Sequence, residues 1–317
     1  MFETMDLQIQ YLLLLQQFRQ ATHGALDGFF MGATWLGEVI IPLSFISIIY
    51  WGINKKAGTF LLFNLGLTLY VNVFLKMTAC IKRPWLIDSR VCPLEKAMPA
   101  ADGYSFPSGH TAGATAVWGS SAFWWWNNKI VRYTMITFVL LVAFSRNYVG
   151  VHTPQDVIVS ILIGICLMFG IDRLLKWIDA KDGRDLIFYS VLLLMTAFLC
   201  IYLHLKCCMQ MEIYDSLKDV VNPLEMKHGV YGKIGFMLGI FTGWIMERRF
   251  IKFDIQDGIN LKKVLSVISG IVILYILMMC LNKIFVIFIA KHITAAIIAF
   301  LTAFYITFLY PLVLKRL

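Results

Sequence analysis

Charge is scarce in this chain: only 15% of its 317 residues are Asp, Glu, Lys or Arg, against about 25% in an average soluble domain. Hydrophobic residues make up 59% and mean hydropathy is +0.74, more apolar surface than one core could absorb. That combination excludes a soluble enzyme and a disordered tail. Cysteine is also sparse. The seven (Cys80, Cys92, Cys166, Cys200, Cys207, Cys208, Cys280) show neither metal-site spacing nor a disulfide framework. Cys207 and Cys208 are adjacent, and such pairs rarely bridge each other. Cys80 and Cys92 flank one loop and are within reach of a disulfide if that loop faces an oxidising compartment. The N-terminus, MFETMDLQIQ, lacks a basic stretch leading into an apolar one, so no cleaved signal peptide is expected. Acidic residues are the minority, 19 against 28 Lys and Arg, for a net charge of +9. The basic residues lie in short loops between apolar runs, which excludes nucleic acid as the partner.

What the chain has is long apolar runs. About 20 apolar residues cross a bilayer as a helix, and nine runs qualify. They are Phe29–Trp51, Ala57–Met77, His110–Trp126, Val131–Val149, Asp156–Trp177, Leu186–Leu205, Tyr231–Met246, Val264–Leu281 and Ile293–Leu314. The expected fold is an all-α polytopic membrane bundle of about nine transmembrane helices. Leu7–Arg19, with Gln at 8, 10, 16 and 17, is shorter and reads as an amphipathic helix on the membrane surface. Phe285–Ala290 is too short to span and reads as a re-entrant or leading turn of the last helix. Gly235, Gly239 and Gly243 give one helix a small-residue face for close packing. Three segments follow: an interfacial part at 1–28, a helical core at 29–180 and a four-helix membrane extension at 181–317.

With nine spans, 15 of the 28 basic residues fall on one side, from Lys55 and Lys56 to Lys315 and Arg316. The positive-inside bias puts the C-terminus in the cytoplasm and the N-terminus outside or in a lumen. The two long connections are Thr78–Phe106 and Lys206–Val230, and a long polar connection in so economical a chain is a candidate for function.

Ionisable residues at membrane-helix ends need a reason, and three segments carry them. They are Lys76-Met-Thr-Ala-Cys-Ile-Lys-Arg83-Pro84, Phe106-Pro107-Ser108-Gly109-His110-Thr111 and Ser145-Arg146-Asn-Tyr-Val-Gly-Val-His152-Thr-Pro-Gln-Asp156. Under the topology above all three share one side. Lys76, Arg83 and Arg146 supply three positive charges, and the arginines can grip a tetrahedral oxyanion in bidentate fashion. Pro107-Ser108-Gly109 leads into a helix start, where amides and dipole favour a phosphate. Ser108 offers a hydroxyl, and Gly109 permits close approach. His152 and Asp156, four apart, suit a histidine whose tautomer the carboxylate fixes, leaving one nitrogen to attack. His110 is then available to protonate the leaving oxygen. The chemistry that fits is phosphoryl transfer to His152, then hydrolysis of the phosphohistidine. It calls for no metal and no cofactor.

These segments match K-x6-RP, PSGH and SR-x5-H-x3-D without gap or substitution. The chain thereby resembles the type 2 phosphatidic acid phosphatase (PAP2) superfamily over about 80 residues. The resemblance implies a metal-independent membrane phosphatase with a helical core shared with vanadium haloperoxidases, which are soluble. It makes His152 the nucleophile, Asp156 its orienting partner and His110 the acid. Lys76, Arg83, Ser108, Gly109 and Arg146 become phosphate ligands. The expected substrate is a lipid phosphate monoester or diphosphate: phosphatidic acid, phosphatidylglycerol phosphate, a sphingoid-base phosphate or a polyprenyl diphosphate. A nine-span layout is also similar to glucose-6-phosphatases, so a sugar phosphate is the rival substrate. A lipid phosphotransferase and an anion transporter are further alternatives. Membrane lipids are the expected partners, and the sequence fixes no oligomeric state.

Other residues read more plainly. His23, His204, His228 and His292 suit structural or interfacial roles, Lys82 a solvated loop, and Trp124-Trp125-Trp126 an interfacial belt. Tyr104 and Phe106 are candidates for the entrance, Asp102 for substrate choice, and Glu225, Lys227 and His228 for a lid.

Overall fold

The computed structural model describes residues 2–101, 103–217, 223–255, 258, 260–288 and 290–316, with backbone alone at 2–4, 207–217, 223–225, 227 and 284–288. The described residues form helices and loops. These are α1 (Phe2–Ala21), α2 (Asp27–Trp35), α3 (Ile40–Ile53), α4 (Lys55–Ala79), α5 (109–124), α6 (Lys129–Tyr148) and α7 (Pro154–Asp179). They continue with α8 (Arg184–Leu217), α9 (Pro223–Met246, prolonged by a wider turn at Glu247–Ile251), α10 (Leu261–Phe288) and α11 (Lys291–Leu314).

Seven described helices are long and apolar enough to cross a bilayer, and the α2–α3 pair, bent by 46°, makes eight if counted as one span. The protein is an integral membrane protein. Among the described residues the count of nine is not confirmed. The run expected at His110–Trp126 is helical over 109–124 in elements of six, five and five residues, about 24 Å at 1.5 Å per residue, and is shorter than the runs on either side of it. The helix cannot start earlier, because Pro107 and the Ser108 cap precede it, and it ends in the Trp124–Asn127 turn. Phe285–Phe288 is the last turn of α10, not the first of α11.

The chain forms two compact units. The first takes Met1–Pro42, Val71–Met168 and Cys208–Glu225. Here α2 packs along α6 through Phe30, Phe144 and Tyr148, and the Tyr148 hydroxyl donates to Asp27 (2.9 Å). Below them Val149, Val151, Ala97 and Ala101 close a small core. Helix α7 comes so near α5 that a Cβ on Gly164 would lie 2.5 Å from Thr115.

Helix α1 does more than lie on a surface. Its Gln8 exchanges hydrogen bonds with the Gln155 backbone N–H and side chain. Gln16 accepts from Cys92 N–H at 2.7 Å, and Arg19 donates to the Cys92 carbonyl at 2.6 Å. Ile9 and Leu12 bury against Val91, while Leu7, Leu14 and Phe18 stay exposed. Cys80 Sγ donates to the Met77 carbonyl and Cys92 Sγ to that of Arg90, so no disulfide joins them.

The second unit takes Leu43–Tyr70, Phe169–Cys207 and Met226–Leu317. Gly235, Gly239 and Gly243 of α9 meet Ala296, Phe300 and Thr307 of α11 so closely that an added Cβ would fall 2.0–2.3 Å from the nearest atom. Around them Phe63, Phe188, Phe241 and Trp244 stack edge to face. On α8 and α10 large apolar side chains face outward, with Leu194 72% and Met279 63% exposed, as suits lipid contact.

Candidate active site

The three charged segments meet at one end of the first unit. Lys76 lies in the last turn of α4, and Pro84 opens the short turn after Arg83, since proline fits the first position of a helix. Lys76 donates to the carbonyls of Tyr104 (2.6 Å) and Ser105 (3.2 Å), pinning the backbone that leads to Pro107. The Phe106–Pro107 bond is cis, and Asn72 donates to the Pro107 carbonyl (3.3 Å). Ser108 is the N-cap of α5, its hydroxyl accepting from the amide and hydroxyl of Thr111. That hydroxyl keeps its own proton to donate. Gly109 and His110 follow as the half-buried first residues of the helix.

The third segment joins the other two. Ser108 N–H donates to the Asp156 carbonyl (3.1 Å), and Ser160 Oγ donates to the Ser108 carbonyl (3.0 Å). Arg83 reaches across with Nη1 to the Val151 carbonyl (2.9 Å) and to His152 Nε2 (3.0 Å), and with Nε to Gly103 (3.0 Å). Asn147 holds the His152 carbonyl at 2.9 Å.

This geometry fixes the proton on His152. Arginine has no acceptor, so Nε2 must present a lone pair to it. The proton therefore sits on Nδ1, 3.2 Å from Asp156 Oδ2. Burial, and then the charges of Arg83, Arg146 and Lys76, hold the His152 pKa well below the ordinary histidine value, so the ring is neutral. Asp156 Oδ2 also accepts from Ser105 Oγ (2.5 Å) and Thr153 N–H (2.9 Å).

Arg146 is fully buried. Its Nη1 lies 3.5 Å from Thr34 Oγ1, whereas Nε and Nη2 have no hydrogen-bond partner. Among the described residues of this unit the buried cations are Lys76, Arg83 and Arg146, and the buried carboxylate is Asp156. Three positive charges against one negative leave an excess of two in a low-dielectric place, which is costly unless an anion balances it.

The sequence reading did not single out Ser105, Asn72, Asn147 or Gly37. Ser105 sits 3.4 Å from His152 Nδ1 as well as on Asp156. Gly37, in the α2–α3 bend, backs directly onto His110. No pattern in the sequence marks these positions; only the fold brings them in. Tyr104 is buried and Phe106 half-buried. Asp102, and the side chains of Glu225 and Lys227, lie outside the described residues.

Comparison with known proteins places this chain in a family. Residues 57–180 match the PAP2 superfamily, and residues 231–317 match the PAP2 superfamily phosphatase transmembrane extension. The chain belongs to the PAP2 superfamily. The PAP2 match contains all eight of the residues singled out above, and the extension accounts for α9 to α11.

Among curated relatives, undecaprenyl-diphosphatase BcrC of Bacillus subtilis is 30% identical over 38% of this chain and 54% of its own length. Human sphingosine-1-phosphate phosphatase 2 is 28% identical over 52% of this chain and 42% of its own. The undecaprenyl-diphosphatase of Sulfolobus acidocaldarius is 30% identical over 41% and 61%. The chain thus spans about half the length of the relatives it matches. No solved structure matches it.

Proposed function

We propose that this protein is a membrane phosphatase that hydrolyses the phosphate monoester or diphosphate of a lipid through a phosphohistidine. The observation that carries the reading is the buried excess of positive charge beside a neutral, oriented imidazole, with Nε and Nη2 of buried Arg146 left without a hydrogen-bond partner: a phosphate dianion suits both. Lipid substrates are favoured because the site lies at helix ends, where a head group can enter while its chains stay in the bilayer. The names of the relatives, which concern polyprenyl diphosphate and sphingoid-base phosphate, point the same way.

In the first step the phosphate displaces Arg83 Nη1 from Nε2 and takes its donors, together with Nε and Nη2 of Arg146 and the amides at Gly109. The Nε2 lone pair forms the P–N bond as the P–O bond to the leaving group breaks, and His110 gives that oxygen a proton. Asp156 stabilises the positive ring. Water then attacks phosphorus, the P–N bond breaks, and His110 takes the water's proton. Charge on the equatorial oxygens meets fixed cations throughout. The reaction calls for no metal ion. Residues 29–180 carry this chemistry and 181–317 extend the membrane bundle, with the site on the extracytoplasmic or lumenal side and the C-terminus in the cytoplasm.

Phosphate release by the purified full chain, across a lipid monophosphate, a polyprenyl diphosphate and glucose 6-phosphate with and without EDTA, tests the proposal. Lipid substrates should be turned over in EDTA, inhibited by orthovanadate, and spared by His152→Ala protein. Release from glucose 6-phosphate alone, loss of activity in EDTA, or near-normal rates in His152→Ala protein would each overturn it.

A further inference from the structure

The second unit holds a cavity of about 280 Å³ that shares no residue with the candidate active site. It opens where several membrane helices end: the close of α3, the turn after α9, the start of α10 and the end of α11. Among the described residues, four lysines line it, Lys252, Lys262, Lys263 and Lys315, with one carboxylate, Asp254. Its inner wall is apolar, formed by Trp51 and Val267, both buried.

The cavity is built rather than incidental. The buried Glu247 carboxylate pairs with Lys55 (2.8 Å) and accepts from Phe253 N–H (2.6 Å), while Lys55 also donates to the Phe253 carbonyl. That clamp fixes the turn at Lys252, which takes a left-handed conformation (φ 51°) uncommon for a residue with a side chain. Trp51 is locked by its indole N–H on the Ile306 carbonyl (2.9 Å) and by a tilted ring contact with Tyr310. Asn260 caps α10 through the Lys263 amide, so the positive end of that helix adds to the lysines. Lys315 donates to the Ile251 carbonyl, and an ammonium has three donors, so that contact does not exhaust it.

A positive-inside bias alone would scatter lysines over the loops. Here they converge on one concavity with a tryptophan wall at a membrane-helix boundary, where lipid head groups lie. From this we infer that the cavity is a binding site for the phosphate of an anionic phospholipid, separate from the substrate. Its volume is small against the ~300–1,000 Å³ of sites for drug-sized ligands, which suits a head group with its chains left in the bilayer.

The test titrates the detergent-purified full chain with dihexanoyl phosphatidylglycerol, a phosphodiester that a monoesterase does not consume, and follows the unfolding temperature. Dihexanoyl phosphatidylcholine and inorganic phosphate are parallel arms. Phosphatidylglycerol should stabilise saturably and phosphatidylcholine should not. In Lys262→Gln/Lys263→Gln protein the half-saturating concentration should rise roughly 30-fold, and Lys262→Arg/Lys263→Arg should restore it. If the double variant does not fold, Lys315→Gln is read by the same titration and should shift by about five-fold. Inorganic phosphate acting with the same variant dependence would keep the anion site and make the free anion its occupant. Equal response to the two lipids, or equal half-saturation in wild type and the Gln variants, would overturn the inference. Neither outcome bears on the proposed hydrolysis, because no substrate is present.

Discussion

Replacing Asp156 by Asn removes one charge from the middle of the candidate site and changes almost nothing in volume. Its Oδ2 lies 3.2 Å from His152 Nδ1. In the proposed attack of Nε2 on phosphorus the ring becomes positive, and a unit charge at that separation is worth about 5 kcal/mol at an effective dielectric of ~20. At 1.36 kcal/mol per decade this is three to four orders of magnitude in rate. The amide adds a second fault. Ser105 and the Thr153 amide both donate to Oδ2, which holds an oxygen there. Should the amide turn its NH2 toward Nδ1 instead, the proton moves to Nε2 and faces the Arg83 donor. The assay is single-turnover phosphate release from a short-chain lipid phosphate, with thermal unfolding to establish that the variant folds. A folded Asp156→Asn protein within ten-fold of wild type would refute the orienting role. Ser105→Ala keeps the charge and should cost only ten- to a hundred-fold, the usual worth of one hydrogen bond to a buried charge.

Three further outcomes are expected. Because burial and three neighbouring cations depress the His152 pKa, the acid limb of kcat/KM should lie well below pH 6.5. Stability should fall with pH below about 6.5, where the unfolded chain takes up a proton that the folded ring refuses; an acid limb near 6.5 with pH-independent stability speaks against a buried neutral ring. Gly37→Ala places a Cβ 2.9 Å from the His110 carbonyl and 2.9 Å from Val142, so kcat should drop about ten- to a hundred-fold through displacement of His110, and unchanged kcat would remove Gly37 from the site. Gly239→Ala meets the Phe300 carbonyl at 2.3 Å and should cost ~1–3 kcal/mol or more in thermal unfolding, whereas an unchanged unfolding temperature would show that α9 and α11 can separate freely.

Much of this molecule is readable from its amino acids, for definite reasons. Uninterrupted apolar length marks a membrane helix whatever its neighbours, so the starts of α4, α6 to α8, α10 and α11 lie within three residues of those expected, whereas α8 and α10 run seven or more residues beyond the apolar stretch and α9 begins eight before it. The run after Gly109 is shorter than its neighbours because its ends are set locally, by the Ser108 cap and the turn at 125–127. Composition likewise cannot tell a glutamine facing water from one bonded to protein, and so α1 was read as a surface helix although Gln8 and Gln16 grip the protein. The charged positions of the site stand out because charge is rare here. Ser105 does not, since a serine in a loop has no spacing to announce it, and its contact with Asp156 spans 51 residues of chain.

The hand that Arg83 lays on Nε2 gives the resting protein a kind of modesty. An imidazole with a bare lone pair in a cationic hollow would react with any small electrophile that wandered in. In the proposed reaction, the guanidinium that covers it gives way to an anion, and the ring is unveiled by the arrival of the phosphate it attacks. Selectivity then begins before any bond is made, in the exchange of one partner for another at a single nitrogen.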